Sequence, residues 1–373
     1  MSSTLKLLHV FPTFAVGGAE SRFAMLAHAL GEGFEHVVVS MDGSRGAARL
    51  VPPGVRLRLI PLVARRGSGL SLSNLATFRR ILREERPGLL LTYNWGAIEW
   101  ALADRIGPIC PHLHLVDGFG AEEALTQLSR RVWLRRLALS GRTTVVVPSQ
   151  SLRTVVTEIW RLNPDRVRHI PNGIDAAALA GQAHQPFGVR RHPDERLFGT
   201  LAGLRPEKNV GRLFRIAAML PEAILWRLVI AGEGAQRAQL EVLARELGLA
   251  ERVVFTGFVE RPGSVLAELD VFVLTSDTEQ MPISVLEAMA LGLPVLATEV
   301  GDLRLMLPAP SRDACLFPRD AEAAFAARLA TVLASPDECR RLGALNRERA
   351  AAFKAEEMIG RYDRLFRELA ATR

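Results

Sequence analysis

In the stretch TSDTEQMPISVLEAMALGLPVLAT, residues 275–298, Glu279 and Glu287 stand eight residues apart between two strongly apolar segments. The residues before it, DVFVLTS, have the pattern of a buried strand, and DTEQM that of the loop at its carboxyl end. The apolar pattern then predicts a helix over 282–291, with Pro282 in its first turn and Gly292 just past its end. Gln280, Met281, Pro282 and Ile283 would line a helix N-terminus, a ready anion site. Carboxylates accept hydrogen bonds from pairs of hydroxyls. The stretch can therefore hold a phosphate on its backbone and a sugar or ribose on Glu279 and Glu287. The plainer alternative is a capping Glu279 and a solvated or salt-bridged Glu287. It is weakened by the mostly buried helix pattern VLEAMALG around Glu287.

A second candidate is LRPEKN, residues 204–209, after the strand pattern LFGTLAGL. Arg205 and Lys208 are two cations where a diphosphate could lie, and they could neutralise it as a metal ion would. No Asp-x-Asp occurs in the chain, so no metal–diphosphate site is expected. A third is AGEGAQR, where Gly232 and Gly234 bracket Glu233 and permit a tight turn. In the first half, FAVGGAESRF places Gly17 and Gly18 at a helix start, with Glu20 behind them. It does not match G-x-G-x-x-G, which argues against a dinucleotide dehydrogenase. TYNWGAIEW and LVDGFGAEE end two further strands, offering Asn94, Trp95 and Asp117. Asp117 could grip a substrate hydroxyl, or simply form an Asp-Gly turn.

The elements that must position these residues alternate strand and helix throughout. Apolar runs of four to eight residues between longer amphipathic segments imply parallel sheets with helices on both faces. The alternation runs to VRHIPNGID and then restarts at LFGTLAGL, so the fold class is α/β, with two doubly wound Rossmann-like domains facing across a cleft. We place a first domain at 1–178, a second at 179–353, and a last helix at 354–373. The joint falls near 173–186, which has Gly173, Gly181 and Pro186 and weak periodicity. A chain of 373 residues suits two domains, and 49% apolar against 23% charged residues supports a core in each.

No apolar run reaches the roughly 18 residues of a membrane span. MSSTLKLLHVFPTF is read as a first buried strand rather than a signal peptide. Cys110, Cys315 and Cys339 are odd in number, lack metal spacing and fit a reducing compartment. The net charge of +7 is uneven: residues 1–175 carry 22 Lys and Arg against 14 Asp and Glu, the rest 25 against 26. An anionic surface is the partner this suggests for the first half, unless it reflects only solvated faces. The stretch 130–142, RRVWLRRLALSGR, interleaves five arginines with apolar residues, as an interfacial helix would, or an ordinary surface helix. Aromatic residues are only 6% and are not interleaved on strands, so no nucleic-acid partner is expected.

These residues together resemble family four of the retaining glycosyltransferases, of the GT-B fold. TEQMPISVLEAMALGLPVLAT resembles that family's E-x7-E region, and GLRPEKN its basic diphosphate loop. VIAGEG, VVFTGF and PNGID follow in the expected places, as does GGAE near the start. The resemblance covers nearly the whole chain and is tightest in the second half.

It implies that the second domain binds a nucleotide sugar and the first an acceptor. Glu287 would hold the ribose hydroxyls and Glu279 the donor sugar, while Arg205 and Lys208 grip the diphosphate. Gly17 and Gly18 would approach that diphosphate from the other side, and Gly232, Glu233, Phe258, Gln280, Met281, Pro282 and Ile283 would complete the donor site. Glu20, Asn94, Trp95 and Asp117 would lie on the acceptor side, with Asp117, Arg205, Lys208 and Glu279 nearest the chemistry. The last helix would cross back to the first domain. The chain departs from the family with Ala202-Gly203 for Gly-Arg, Gln280 for Gly, and Asp117 for a His that contacts the donor sugar.

The expected activity is retaining, metal-independent transfer, without a cofactor, from a nucleotide diphosphate sugar to a hydroxyl. UDP is the default donor nucleotide from the family. The expected acceptor is a saccharide or a lipid-linked one, in surface polysaccharide or glycolipid synthesis. The expected location is cytoplasmic, peripheral at an anionic inner membrane face. The competing readings are a sugar-nucleotide epimerase and a non-catalytic nucleotide-sugar-binding protein.

Overall fold

The computed structural model describes residues 4–62, 71–123, 126–182 and 192–372. It divides into two compact units, Met1–Asn172 with Glu357–Arg373, and Gly173–Glu356. Both are built on parallel sheets.

In the first unit, seven strands run β1 (Leu5–Phe11), β2 (Phe34–Ser40), β3 (Leu57–Ile60), β4 (Leu89–Tyr93), β5 (His112–Leu115), β6 (Thr144–Val147) and β7 (Val167–His169). Their spatial order is β3-β2-β1-β4-β5-β6-β7. Side chains alternate across the sheet. Leu8, Val10, Val37 and Val39 pack to one face, and Leu7, Phe11 and Val38 to the other. The second face is completed by the last helix, Ala355–Ala370. Its Met358, Tyr362, Leu365, Phe366 and Leu369 recur at helical spacing and are buried there. Each such side chain contributes about 1.5–3 kcal/mol by leaving water.

The second unit has six strands, β8 (Arg196–Leu201), β9 (Trp226–Ala231), β10 (Val253–Gly257), β11 (Val271–Leu274), β12 (Val295–Thr298) and β13 (Leu316–Phe317), in the order β10-β9-β8-β11-β12-β13. One apolar cluster spans it, from Phe198 and Phe214 to Leu329 and Leu342.

Chain direction and sheet order agree with the expected doubly wound pattern. The joint differs from the 178/179 and 353/354 boundaries. Ile174 pairs with Lys354 and its N–H donates to the Phe353 carbonyl 2.8 Å away, so residues from Gly173 onward go with the second unit. Pro186, the other end of the expected joint, lies outside the described residues. The helix expected near 122–140 begins only at Ser129. The one expected over 150–161 is α-helical from Gln150 to Thr154 and then continues as a π turn, Val155–Ile159.

In each sheet the strand order reverses once, between β1 and β4 and between β8 and β11. Loops leaving the carboxyl ends of neighbouring strands diverge at such a point and open a crevice, where ligands of this architecture sit.

Candidate functional site

In the second unit the loops flanking the reversal are the two that carry the charged motifs. Lys208, after β8, donates from Nζ to Glu279 Oε1, after β11, at 2.6 Å. Ser276 Oγ donates to the same oxygen at 2.7 Å. The loops are also tied through their backbones, since Asp277 N–H donates to the Glu207 carbonyl at 2.8 Å. Arg205 is largely exposed and meets only Glu207, at 3.1 Å, among the described residues. The site thus holds one cation already neutralised and one open to solvent.

The helix after this loop is Ile283–Ala290, and Pro282 is its N-cap rather than its first-turn residue. No side chain caps it, so its N-terminal end relies on other acceptors. Gln280 and Met281 are buried, and Ile283 is partly so. Glu287 lies one turn into the helix. Burial pushes its carboxyl up from 4.5 to about 7, and no described residue bonds or pairs with it. A partly buried carboxylate left without donors is an acceptor for a ligand's hydroxyls.

The neighbouring turn, between β9 and the helix Arg237–Glu246, is shaped by close backbone approach. A Cβ on Gly232, where φ is +146°, would lie 1.9 Å from the Ala202 carbonyl oxygen, and one on Gly234 would lie 2.3 Å from that of Leu204. Glu233 turns away to Arg237, 2.7 Å distant, so its exposed carboxylate is spent on its own helix. Phe258 stands exposed after β10.

Sequence reasoning missed the residues that hold this loop pair. Arg212, on the helix Val210–Ala218, donates to the Thr275 carbonyl and to Asp277 Oδ1, both at 2.7 Å. Asn209 Nδ2 donates to Asp277 Oδ2 at 2.9 Å, and Arg319 to the Asp277 carbonyl at 3.1 Å. Asn209 was visible in LRPEKN as a helix-capping type, and it does accept the Arg212 N–H in a left-handed conformation. Arg212 and Arg319 had no local signal. Gly301, with φ +55°, lies against the Glu279 and Gln280 carbonyls, where any Cβ would come within 2.6 Å.

In the first unit, Gly17 is the N-cap of the helix Gly18–Leu30. Glu20 folds back over this end, its Oε2 2.7 Å from where a Cβ on Gly17 would be. Glu20 is buried beside this helix start. Asn94, after β4, has φ +52°, and its Oδ1 accepts the Asp117 N–H at 2.7 Å. Asp117 is not a loose turn residue, because Arg22 Nη2 lies 2.5 Å from its Oδ1. Arg22 was not anticipated.

Three arginines of the stretch, Arg131, Arg135 and Arg136, are tied into the domain. Arg135 is buried in the helix Ser129–Leu139 and binds Glu123 through both nitrogens, at 2.8 and 2.6 Å. Its guanidinium stacks 4.6, 5.1 and 5.5 Å from the rings of Trp160, Trp95 and Phe119. Arg131 also reaches Glu123, and Arg136 donates to the Trp160 carbonyl. Burial raises the Glu123 carboxyl, but Arg135 and Arg131 outweigh it and hold it below its ordinary value. These arginines therefore brace Trp95 and the loop after β5 from inside. The helix shows Ser129, Arg130, Trp133 and Leu137 to solvent.

Comparison with known proteins agrees with this architecture. The model of the family "Glycosyl transferases group 1" matches residues 182–349, and that of "Glycosyltransferase Family 4" matches residues 16–178. The chain is 28% identical over 317 residues to the putative glycosyltransferase EpsF of Bacillus subtilis, covering 80% of each. It is 29% identical over 324 residues to a GDP-mannose-dependent alpha-mannosyltransferase of Mycobacterium tuberculosis, covering 81% of this chain and 80% of that one. Among solved structures, HepE from Anabaena in complex with UDP-glucose has the same fold, with a TM-score of 0.80 at 17% identity over 98% of this chain and all of that one. With both domains matched, and with charged loops at the strand-order reversal of the second, the chain belongs to the group 1 glycosyltransferases and is an enzyme of that family.

Proposed function

We propose that the enzyme transfers a sugar from a nucleotide diphosphate sugar, UDP-linked, to a hydroxyl, retaining the anomeric configuration and without a metal or other cofactor. The observation that carries this is the 2.6 Å Lys208–Glu279 pair at the strand-order reversal, with the unpaired Glu287 eight residues further on. Glu287 accepts the ribose hydroxyls and Glu279 a hydroxyl of the donor sugar. The arriving diphosphate draws Lys208 and Arg205, whose charges stabilise the leaving group as its bond breaks. The anomeric carbon–phosphate oxygen bond breaks, the acceptor oxygen bonds that carbon on the same face, and the acceptor proton passes to the departing phosphate oxygen. Glu279 Oε1 is taken up by Lys208 and Ser276, which leaves Oε2 for the sugar hydroxyl and favours an orienting role over that of a nucleophile.

Two cations at the diphosphate position support metal-independent transfer. The nearby Asp277 carboxylate is already taken up by Arg212 and Asn209. Transfer insensitive to EDTA is the expected result. UDP is favoured by the UDP-glucose complex of the related fold, and a GDP-linked donor is the rival raised by the mannosyltransferase relative.

The acceptor is a saccharide or a lipid-linked one in surface polysaccharide or glycolipid synthesis. The exposed Trp133 and Leu137, with the exposed Arg130 on the same helix, support contact of a cytoplasmic enzyme with an anionic inner membrane face. Among the described residues no helix is long and apolar enough to cross a membrane. Unchanged sedimentation with phosphatidylglycerol vesicles after Trp133→Ser would sink the membrane part.

The deciding experiment is thermal stability against UDP, GDP, ADP, CMP and their common sugars, with Glu287→Ala and Lys208→Ala beside the wild type. Ligand that binds only the folded state raises the melting temperature. One diphosphate that stabilises the wild type but neither variant is the expected outcome. A wild type unmoved by the whole panel overturns the donor reading.

A further inference from the structure

The Arg22–Asp117 pair leaves one atom unexplained. Asp117 Oδ1 is taken by Arg22 at 2.5 Å, while Oδ2 is buried and has no hydrogen-bond partner among the described residues. A carboxylate oxygen removed from water and left without a donor is uncommon in a native fold and calls for an explanation. Here the arrangement holds it in place. Arg22 is itself buried, and its Nη1 donates to Asn172 Oδ1 at 3.0 Å. The Asp117 backbone is fixed by Asn94, which adopts a positive φ to reach it. The Asp117 carboxylate is thus held at both ends, at the carboxyl edge of β5 and beside the reversal between β1 and β4.

We propose that Arg22 is a positioning residue. By binding Oδ1 it presents Asp117 Oδ2 to a hydroxyl of the saccharide the enzyme handles, which donates its proton into a hydrogen bond there. The ligand group is an uncharged hydroxyl. A phosphate or carboxylate would meet the negative charge of Oδ2, and the Arg22 cation is already neutralised by Asp117. The hydroxyl belongs either to the donor sugar or to the acceptor, and the same chemistry serves both. This proposal rests on the glycosyl-transfer reading above.

The test uses the full chain with UDP-glucose, UDP-galactose, UDP-N-acetylglucosamine and GDP-mannose, reading nucleoside diphosphate release with and without n-octyl glucoside. The variants are Asp117→Asn, Arg22→Lys and the double variant, with Asp117→Ser as a second choice should the amide not fold. Binding of UDP and GDP is measured separately. Asp117→Asn is expected to slow release at least about tenfold with nucleotide affinity unchanged. Arg22→Lys should slow it less, and the double variant should be no slower than Asp117→Asn alone, since groups acting through one another are not additive. A loss seen without added glucoside assigns the hydroxyl to the donor. A loss confined to the glucoside reaction assigns it to the acceptor. Wild-type rates in Asp117→Asn, or losses that multiply in the double variant, overturn the proposal while leaving the donor site standing. No release by the wild type from any donor, together with no nucleotide binding, overturns the donor reading and this proposal with it.

Discussion

The first domain buries four histidines and two arginines, whereas the second, among the described residues, buries one arginine and no histidine. Beneath the first sheet, His9 and His36 bond to each other at 3.1 Å, and His9 reaches the Tyr93 hydroxyl at 3.1 Å. His112 and His114 share Thr92 at 2.7 and 2.8 Å. Arg22 and Arg135 are buried there too. The second domain places its buried arginine, Arg212, under the loops that carry Lys208 and Glu279. A polar group in a core specifies one arrangement only if every partner is present, and it makes the fold sensitive to charge. The same groups beneath a ligand loop preorganise that loop instead. The contrast suggests a first domain that yields to pH and a second that is electrostatically robust away from its site.

The largest expected effect tests that contrast with acid. Burial holds His9 and His114 well below 6.5, His36 at about 4 and His112 at about 3. The unfolded chain then binds more protons than the folded one, so stability is complete above about pH 6.5 and falls as pH drops toward 4. Each histidine costs about 1.4 kcal/mol per pH unit in that window. Thermal unfolding at pH 5 should show the first domain melting far earlier than at pH 7.5, with the second not lowered and, through Glu287, somewhat raised. A parallel shift of both would break the comparison.

Arg135→Met comes next. It leaves Glu123 buried without its main partner, and breaking such a pair costs about 3–5 kcal/mol. Limited proteolysis should open the first domain while nucleotide stabilisation of the second persists.

Glu287→Gln is expected to act in the opposite sense. Because its folded carboxyl titrates near 7 rather than 4.5, ionising it opposes folding as pH rises between those values. Removing the charge should stabilise the free enzyme at pH 8 by up to about 3 kcal/mol, while abolishing the nucleotide shift. Denaturant titration at pH 5 and pH 8 separates these, since the gain should vanish at the lower pH.

The smallest structural effect belongs to Arg205→Ala. An exposed ion pair of this kind is worth about 0–1 kcal/mol, so the melting temperature should barely move. Nucleotide sugar affinity should nevertheless drop about tenfold, as befits a cation held in solvent for a ligand.

Much of this was legible in the chain. Short apolar runs, helical periodicity and end residues such as Gly292 gave the strands and helices within a few residues, because each is set by neighbours in sequence. The last helix was readable for the same reason, its apolar stripe at Met358, Tyr362, Leu365, Phe366 and Leu369 requiring a second surface. RRVWLRRLALSGR shows where such reading fails. Periodicity shows that Arg135 lies among apolar residues, but not that Glu123 and three aromatic rings surround it.

By itself, then, the sequence determined two parallel α/β domains, the loops that bear Glu279, Arg205 and Lys208, and the helix that bears Glu287. Only the tertiary structure decided which charges meet. Lys208 and Glu279 are 71 residues apart, Arg212 and Asp277 are 65, and Arg22 and Asn172 are 150. Such pairs form because strand order brings distant loops to one edge of a sheet, and strand order is fixed by packing of the whole core rather than by any local pattern.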